Sequence, residues 1–217
     1  VWLDKRKAEN LPPLPALNGE PFYPGWPPSG IAGDSEEAEC ASRSGMYGSV
    51  LSGGLAGHIY GVQGVWGGDI EPESSPKMWE GLQWRSGAQV QHLGTFILSE
   101  RARYQDLAPD ADLVYPQRTI EVLGNTGWAY CARTPDRGLF MIYFERGLAG
   151  LGGLDNPRRA GIRGARRNGR YRATWFDPRT GAWYDAGTLQ AGESCLLPWP
   201  EFPSDDDWAL KLVAIDA

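Results

Sequence analysis

The sequence predicts a chain in two parts, an α/β segment followed by an all-β one. Three observations carry that reading. Up to about residue 112, short apolar stretches alternate with amphipathic helical patterns. From about Thr119 the hydrophobic period changes to two, with turn residues between short runs. Among the 217 residues, 29 glycines, 17 prolines and 10 tryptophans suit a loop-rich β structure with many tight turns and large flat side chains. The expected junction is residues 107–116, which sets domains at 1–112 and 113–217.

Residues 14–18 are apolar and bounded by proline and glycine, as expected of a buried parallel strand that ends at Gly19-Glu20. Residues 34–39 supply the acidic first turn of a helix. Its apolar pairs Met46/Val50 and Tyr47/Leu51 recur at i, i+4, and Gly53-Gly54 stops it. A second strand over 58–62 leads into the glycine-rich, aromatic loop 64–69. Val90, Leu93, Phe96 and Ile97 then mark a helix running to about Arg103. These are two βα units. Seven strands are expected beyond the junction, over 119–123, 128–133, 139–144, 171–176, 182–184, 193–197 and 208–215, spaced as in an antiparallel sandwich. In Asp177-Pro178-Arg179-Thr180-Gly181, proline presets φ and glycine supplies a positive φ, so a hairpin should form there. Trp175, Trp183 and Trp208 are assigned to the sandwich core.

Composition excludes several classes. With 41% hydrophobic and 22% charged residues the chain is no disordered polyelectrolyte, and no apolar run approaches a bilayer span. A net charge of −6, from 21 basic and 27 acidic residues, gives no global reason for nucleic-acid binding. Arg158, Arg159, Arg163, Arg166, Arg167, Arg170 and Arg172 form one local basic stretch, but its interleaved glycines argue against a recognition helix. A solvated loop, partly paired with the acidic excess, is the favoured reading. Cys40, Cys131 and Cys195 form no disulfide framework and no Cys-x-x-Cys zinc pattern. His58 and His92, the two histidines, leave no basis for a histidine-rich metal site or a Ser-His-Asp triad. No metal and no cofactor is expected, and residues 1–10 show no signal peptide.

Two βα units cannot make a domain alone, because a parallel sheet needs both faces covered and a closed α/β barrel needs eight units. The first half therefore reads as the end of something larger. In such barrels catalytic residues project from the carboxyl ends of strands, where Glu20 falls. The ordinary alternative is a solvated loop glutamate. Against it, Arg43 and Tyr47 lie one helical turn apart and His58 with Tyr60 closes the next strand, so polar and aromatic groups are expected to converge at one mouth.

The motifs Leu17-Asn18-Gly19-Glu20-Pro21-Phe22-Tyr23, Arg43-xxx-Tyr47 and Leu51-Ser52-Gly53-Gly54-Leu55-Ala56-Gly57-His58-Ile59-Tyr60-Gly61, with Trp66, resemble the closing part of the apiosidase-like (β/α)8 glycoside hydrolases. Gly87-Ala88-Gln89-Val90 with Leu93, Trp175 to Gly181, and Asp207-Trp208-Ala209-Leu210 are similar to the same proteins' last helix and C-terminal sandwich, a domain often labelled collagen-binding. Nothing in the predicted strands suggests a groove for a triple helix.

The resemblance implies a fold of terminal βα units of a TIM barrel, strands 7 and 8 with their helices over 1–112, followed by an accessory antiparallel β-sandwich over 113–217. It implies that Glu20 is the catalytic glutamate of the seventh strand, acting as nucleophile or general base. It places the acid/base partner on an earlier strand that this chain does not contain. Glycosidic cleavage ordinarily needs two carboxyl groups, so the chain alone should be inactive, and a second polypeptide supplying the rest of the barrel is the expected partner. Arg43 and Tyr47 are expected to orient Glu20 or bind sugar hydroxyls, and His58 to hydrogen-bond substrate or else to be a packed histidine satisfied by backbone, with Tyr23, Trp26, Tyr60 and Trp66 as sugar platforms. Pro24 departs from relatives, which commonly carry a second glutamate there. The substrate would be a poly- or oligosaccharide and the location extracellular or periplasmic. The rival reading is a non-catalytic carbohydrate- or protein-binding module.

Overall fold

The computed structural model describes residues 5, 8–11, 16–19, 21–115, 126–148 and 161–215. Strands β1 (Leu17–Asn18) and β2 (Gly57–His58) pair in parallel, Leu17 opposite Gly57 and Asn18 opposite His58. Helix α1 (Glu36–Leu51) connects them. Its first N–H groups are met by Ser35, whose side chain accepts from the Ala38 N–H at 3.1 Å, and Glu36, Glu37 and Glu39 face the positive end of the helix dipole. The helix ends at Ser52 and Gly53, the latter at φ +108°, where glycine is needed. After β2 come the short α2 (Met78–Gly81) and α3 (Arg85–Ile97). A 3-10 run continues over Leu98–Asp106 and is broken at Arg101, φ +52°, so α3 stops at Ile97 and not near Arg103.

The rest of the described chain is antiparallel. One sheet has six strands, in the order β3 (Ala108–Pro109), β5 (Ala129–Arg133), β6 (Leu139–Phe144), β11 (Trp208–Ala214), β8 (Arg170–Phe176) and β9 (Trp183–Gln190). The other has three, β10 (Leu197–Pro198), β7 (Gly161–Ile162) and β4 (Val114–Tyr115). The expected hairpin joins β8 to β9, with Phe176 opposite Trp183, and the Gly181 N–H reaches the Asp177 carbonyl at 2.8 Å.

Strand alternation sorts the core into two layers. Phe140, Ile142 and Phe144 of β6 join Tyr171, Trp175 and Leu210, and meet Val114, Ile162 and Leu197 of the three-stranded sheet. Leu139, Met141 and Tyr143 point the other way, with Phe176 and Ala209, onto Met46, Tyr47, Val50, Leu93 and Phe96 of α1 and α3. All six residues of β6 are buried. Burying a large side chain of this kind is worth roughly 1.5–3 kcal/mol, so the sheet is held from both sides.

Several expectations need correction. Leu17 is 53% exposed, not buried, because nothing among the described residues covers its side of the parallel pair. The strand expected over 182–184 runs on to Gln190, and the one over 193–197 shrinks to Leu197–Pro198 because Cys195 stands at φ +61°. The expected strand 119–123 lies outside the described residues. Ala108–Pro109 pairs with β5, so the sheet starts before residue 113. Trp175 and Trp208 do pack between the sheets, whereas Trp183 packs on the helix side, its ring 4.6 Å from Phe176 and 5.9 Å from Phe96.

Candidate active site at the ends of the parallel strands

Glu20 itself lies outside the described residues. What surrounds its place in the chain is organised by alternation. Leu17, Gly19 and Ile59 share one face: a Cβ built on Gly19 would stand 4.0 Å from the Ile59 Cδ1, and Ile59 is 43% exposed. Asn18, His58 and Tyr60 point the opposite way, into the helices. Asn18 donates to Ser49 Oγ at 2.8 Å, His58 Nδ1 lies 3.1 Å from the same oxygen, and the Tyr60 hydroxyl meets Ser86 Oγ of α3 at 2.7 Å. Burial lowers the His58 pKa below its ordinary 6.5 and raises that of Tyr60. These two side chains are wall residues, not the rim residues expected.

Beyond the strand ends, two loops fold onto each other. The Gln63 N–H donates to the Pro24 carbonyl at 3.0 Å, and the Tyr23 ring lies on the backbone of Gly61, where a Cβ would come within 2.8 Å. The Trp84 indole fills the space over Gly25 and Gly33. The loop 64–69 closes through Asp69 N–H to the Gly64 carbonyl at 2.8 Å and carries Trp66, 76% exposed, while Trp26 is 51% exposed. Tyr23, Trp26 and Trp66 therefore belong to the loop layer that follows the strands.

Arg43 and Tyr47 are elsewhere. At about 100° per residue, a side chain two positions away lies ~200° around a helix. Arg43 and Tyr47 thus face away from Gly45 and Ser49, which face β2. The Arg43 guanidinium grips Asp207 with two hydrogen bonds, Nε to Oδ2 at 2.7 Å and Nη2 to Oδ1 at 2.8 Å. Its Nη1 reaches Gln89 Oε1 at 2.9 Å; Gln89 donates on to Glu39 at 2.8 Å, and Glu39 pairs with Arg85 at 2.8 Å. Tyr143 donates to Asp207 at 2.8 Å, and Ser44 donates to Glu145 at 2.6 Å. Burial works against the Arg43 cation, but hydrogen bonding to Asp207 and its charge outweigh that and raise the pKa. Burial also lifts Glu145 above the usual carboxylate range and Cys40 to about 11. Tyr47 is fully buried and stacked on Tyr143 at 4.7 Å, its hydroxyl without a partner among the described residues. Arg43 and Tyr47 are buried and face the sheet, not the strand ends where they were expected, and there they hold the helices to the sheet.

Asp207 and Gln89 enter the sequence reading only as parts of resemblance motifs and Glu39 only as the end of an acidic first turn, while Glu145 and Ser44 are not singled out. The available signal was Glu39 four residues before Arg43 on an otherwise apolar face, an ion pair that burial would force to find further partners. A cleft of about 310 Å³ opens beside this network, between the helices and the 177–181 turn. Its charges are paired internally, Arg85 with Glu39 and Arg179 with Asp177 and Asp206. In the basic stretch, Arg166 pairs with Asp136 at 3.0 Å, Arg167 with Glu193 at 2.9 Å, and Arg163 lies over the Tyr115 ring at 4.7 Å. Arg158 and Arg159 lie outside the described residues. Cys40, Cys131 and Cys195 form no disulfide, no group of His, Cys, Asp or Glu among the described residues suits a metal, and no described helix is long and apolar enough to cross a membrane.

Parallel strands with their helices, joined to antiparallel sheets, are a fold shared with glycoside hydrolases. A solved glycoside hydrolase superposes with a TM-score of 0.68 at 19% identity, over 98% of this chain and 45% of its own. A family 5 glycoside hydrolase from Bacteroides vulgatus ATCC 8482 does so with 0.67 at 17%, over 98% and 44%. The chain thus spans under half the length of either. No curated protein matches it. Residues 3–103, just under half of the chain, match the family model described as "Apiosidase-like, catalytic domain", which shows the resemblance read from Leu17–Tyr23 and the motifs that follow. The match does not reach the segment associated with collagen binding.

Proposed function

We propose that the chain is the C-terminal part of a glycoside hydrolase. β1 and β2 are the seventh and eighth strands of a (β/α)8 barrel, α1 and α3 their helices, and the two antiparallel sheets an accessory sandwich. One coincidence supports this above the rest. The family match spans Glu20, and the same segment holds a parallel pair whose Leu17–Ile59 face is bare. A barrel interior is filled by the inward side chains of all eight strands, and that bare face is the part the other six would cover.

Glu20 acts as nucleophile, or as the base that activates water, against an oxocarbenium-like transition state. Its partner is a carboxylic acid on one of the other strands, about 5–5.5 Å away for retention or roughly 6.5–9.5 Å for inversion. Tyr23, Trp26 and Trp66 offer flat apolar surfaces to the C–H faces of sugar rings. The missing strands come from further chain of the same protein or from a second polypeptide. The substrate is an oligo- or polysaccharide met outside the cytoplasm.

The test supplies the six missing βα units as a separate polypeptide and measures both binding and release of reducing ends from mixed plant and bacterial glycans. The reading expects no hydrolysis by either piece alone and hydrolysis by the mixture, with a complex of both masses in non-denaturing mass spectrometry. Glycan binding by this chain alone, with no activity gained in a mixture that does form the complex, would replace the hydrolase with a binding module.

A further inference from the structure

We infer that Arg43 and Asp207 are positioning residues: through α1, the C-terminal sheet sets how Asn18 and His58 stand at the ends of the parallel strands, with the His58 ring held as its Nδ1–H tautomer. The catalytic meaning of this rests on the hydrolase reading, but the geometry behind it does not.

The tautomer follows from a proton count. A hydroxyl has one hydrogen to give and can accept twice. Ser49 Oγ lies 2.6 Å from the Gly45 carbonyl, a separation between two oxygens that requires a hydrogen between them, so the Ser49 proton is committed there. Toward Asn18 Nδ2 at 2.8 Å and His58 Nδ1 at 3.1 Å, Ser49 must then accept. His58 therefore carries its proton on Nδ1, which leaves Nε2 with a free lone pair.

The positioning follows from where Ser49 is anchored. It stands six residues beyond Arg43 on one unbroken helix, about 9 Å along the axis and on the far side. Arg43 and Ser44, at the near end, are fixed to the sheet through Asp207 and Glu145. The second contact of the strand pair, Tyr60 with Ser86, lands on α3 between Arg85 and Gln89, and both of those belong to the same buried network. The described polar contacts from the strand ends to the helices thus hang from helices that one interface holds. A helix moves as a rod, so a change at Asp207 is carried to Ser49 without any contact between them.

The chain's two histidines make this readable. On the 15N-labelled chain near pH 8, above the ordinary imidazole pKa, two-bond proton–nitrogen correlations distinguish protonated from bare ring nitrogens. Replacing His92 by Gln assigns the two rings. His58 is expected to show a protonated Nδ1 and a bare Nε2. His92 should do the same, because its Nδ1 faces the Pro178 carbonyl at 3.0 Å, which can only accept.

Ser49→Ala should move His58, and not His92, toward the Nε2–H form that free imidazole prefers. Asp207→Asn should move His58 in the same direction. So should Ser44→Ala, which removes the other anchor and serves if Asp207→Asn fails to fold. A proton found on Nε2 of His58 in the wild-type chain overturns the tautomer. Lower melting temperatures with the His58 nitrogen shifts unchanged overturn the positioning role and leave Arg43–Asp207 as a stabilising pair only.

Discussion

The two parallel strands and the six-stranded sheet lie on either side of the same helices, yet they are finished to very different degrees. β6 has no exposed residue: its even-numbered side chains meet the three-stranded sheet and its odd-numbered ones meet α1 and α3. In the parallel pair, one face is satisfied by Ser49 and Ser86 while the other presents Leu17 and Ile59 to solvent. Antiparallel strands are completed by neighbours a hairpin away, whereas parallel strands depend on crossovers and on a closed or covered sheet. The contrast separates a sheet buried on both faces from a strand pair buried on one.

The antiparallel side can be broken most severely at the buried Arg43–Asp207 pair. Asp207→Ala removes two of the Arg43 hydrogen bonds, leaving Gln89 and Glu39 as its partners, and takes the acceptor from the buried Tyr143 hydroxyl, and should cost about 3–5 kcal/mol in denaturant unfolding. A change near zero would mean that Glu39 and Gln89 suffice to hold the Arg43 guanidinium.

A smaller effect is expected at His58. Its folded-state pKa lies below 6.5 because burial disfavours the cation. As pH falls below about 6.5 the unfolded chain takes up the proton first, so stability drops from there down to the folded-state pKa and then levels off. Comparing melting temperatures of the wild-type chain and His58→Gln across that range isolates the effect; equal slopes would contradict it.

The smallest effect belongs to the exposed Leu17–Ile59 face. Leu17→Ser and Ile59→Ser should each change the stability of this chain by less than about 0.5 kcal/mol. In a completed barrel the same changes should cost roughly 1.5–3 kcal/mol apiece. Large losses already in the chain alone would mean that this face is covered within the chain itself.

Much of the β half was legible from residue order. The 139–144 strand matches β6 residue for residue, and the Pro178–Gly181 turn forms the hairpin its φ preferences demand. The helix ends were legible where a chemical marker exists, as at the Gly53-Gly54 stop, and illegible where none does. Arg101 breaks the helical run at a positive φ that nothing in its side chain announces. The site was legible as a set of residues but not as a direction. Of Arg43, Tyr47, His58 and Tyr60, expected at one mouth, His58 and Tyr60 stand by the parallel pair while Arg43 and Tyr47 face Asp207 and Tyr143; period-2 and period-3.6 patterns say only that residues share a face, not which neighbour the face meets. The partner that decides for Arg43, Asp207, is 164 residues away in sequence, and Trp183 was misplaced for the same reason.

The central claim rests on Glu20, and the most direct measurement is kcat/KM of the assembled hydrolase with Glu20→Gln, a near-isosteric change that removes the nucleophile or base. The account predicts a loss of about 10²–10⁴-fold with folding and assembly intact. Turnover within a few-fold of the unaltered enzyme would contradict it.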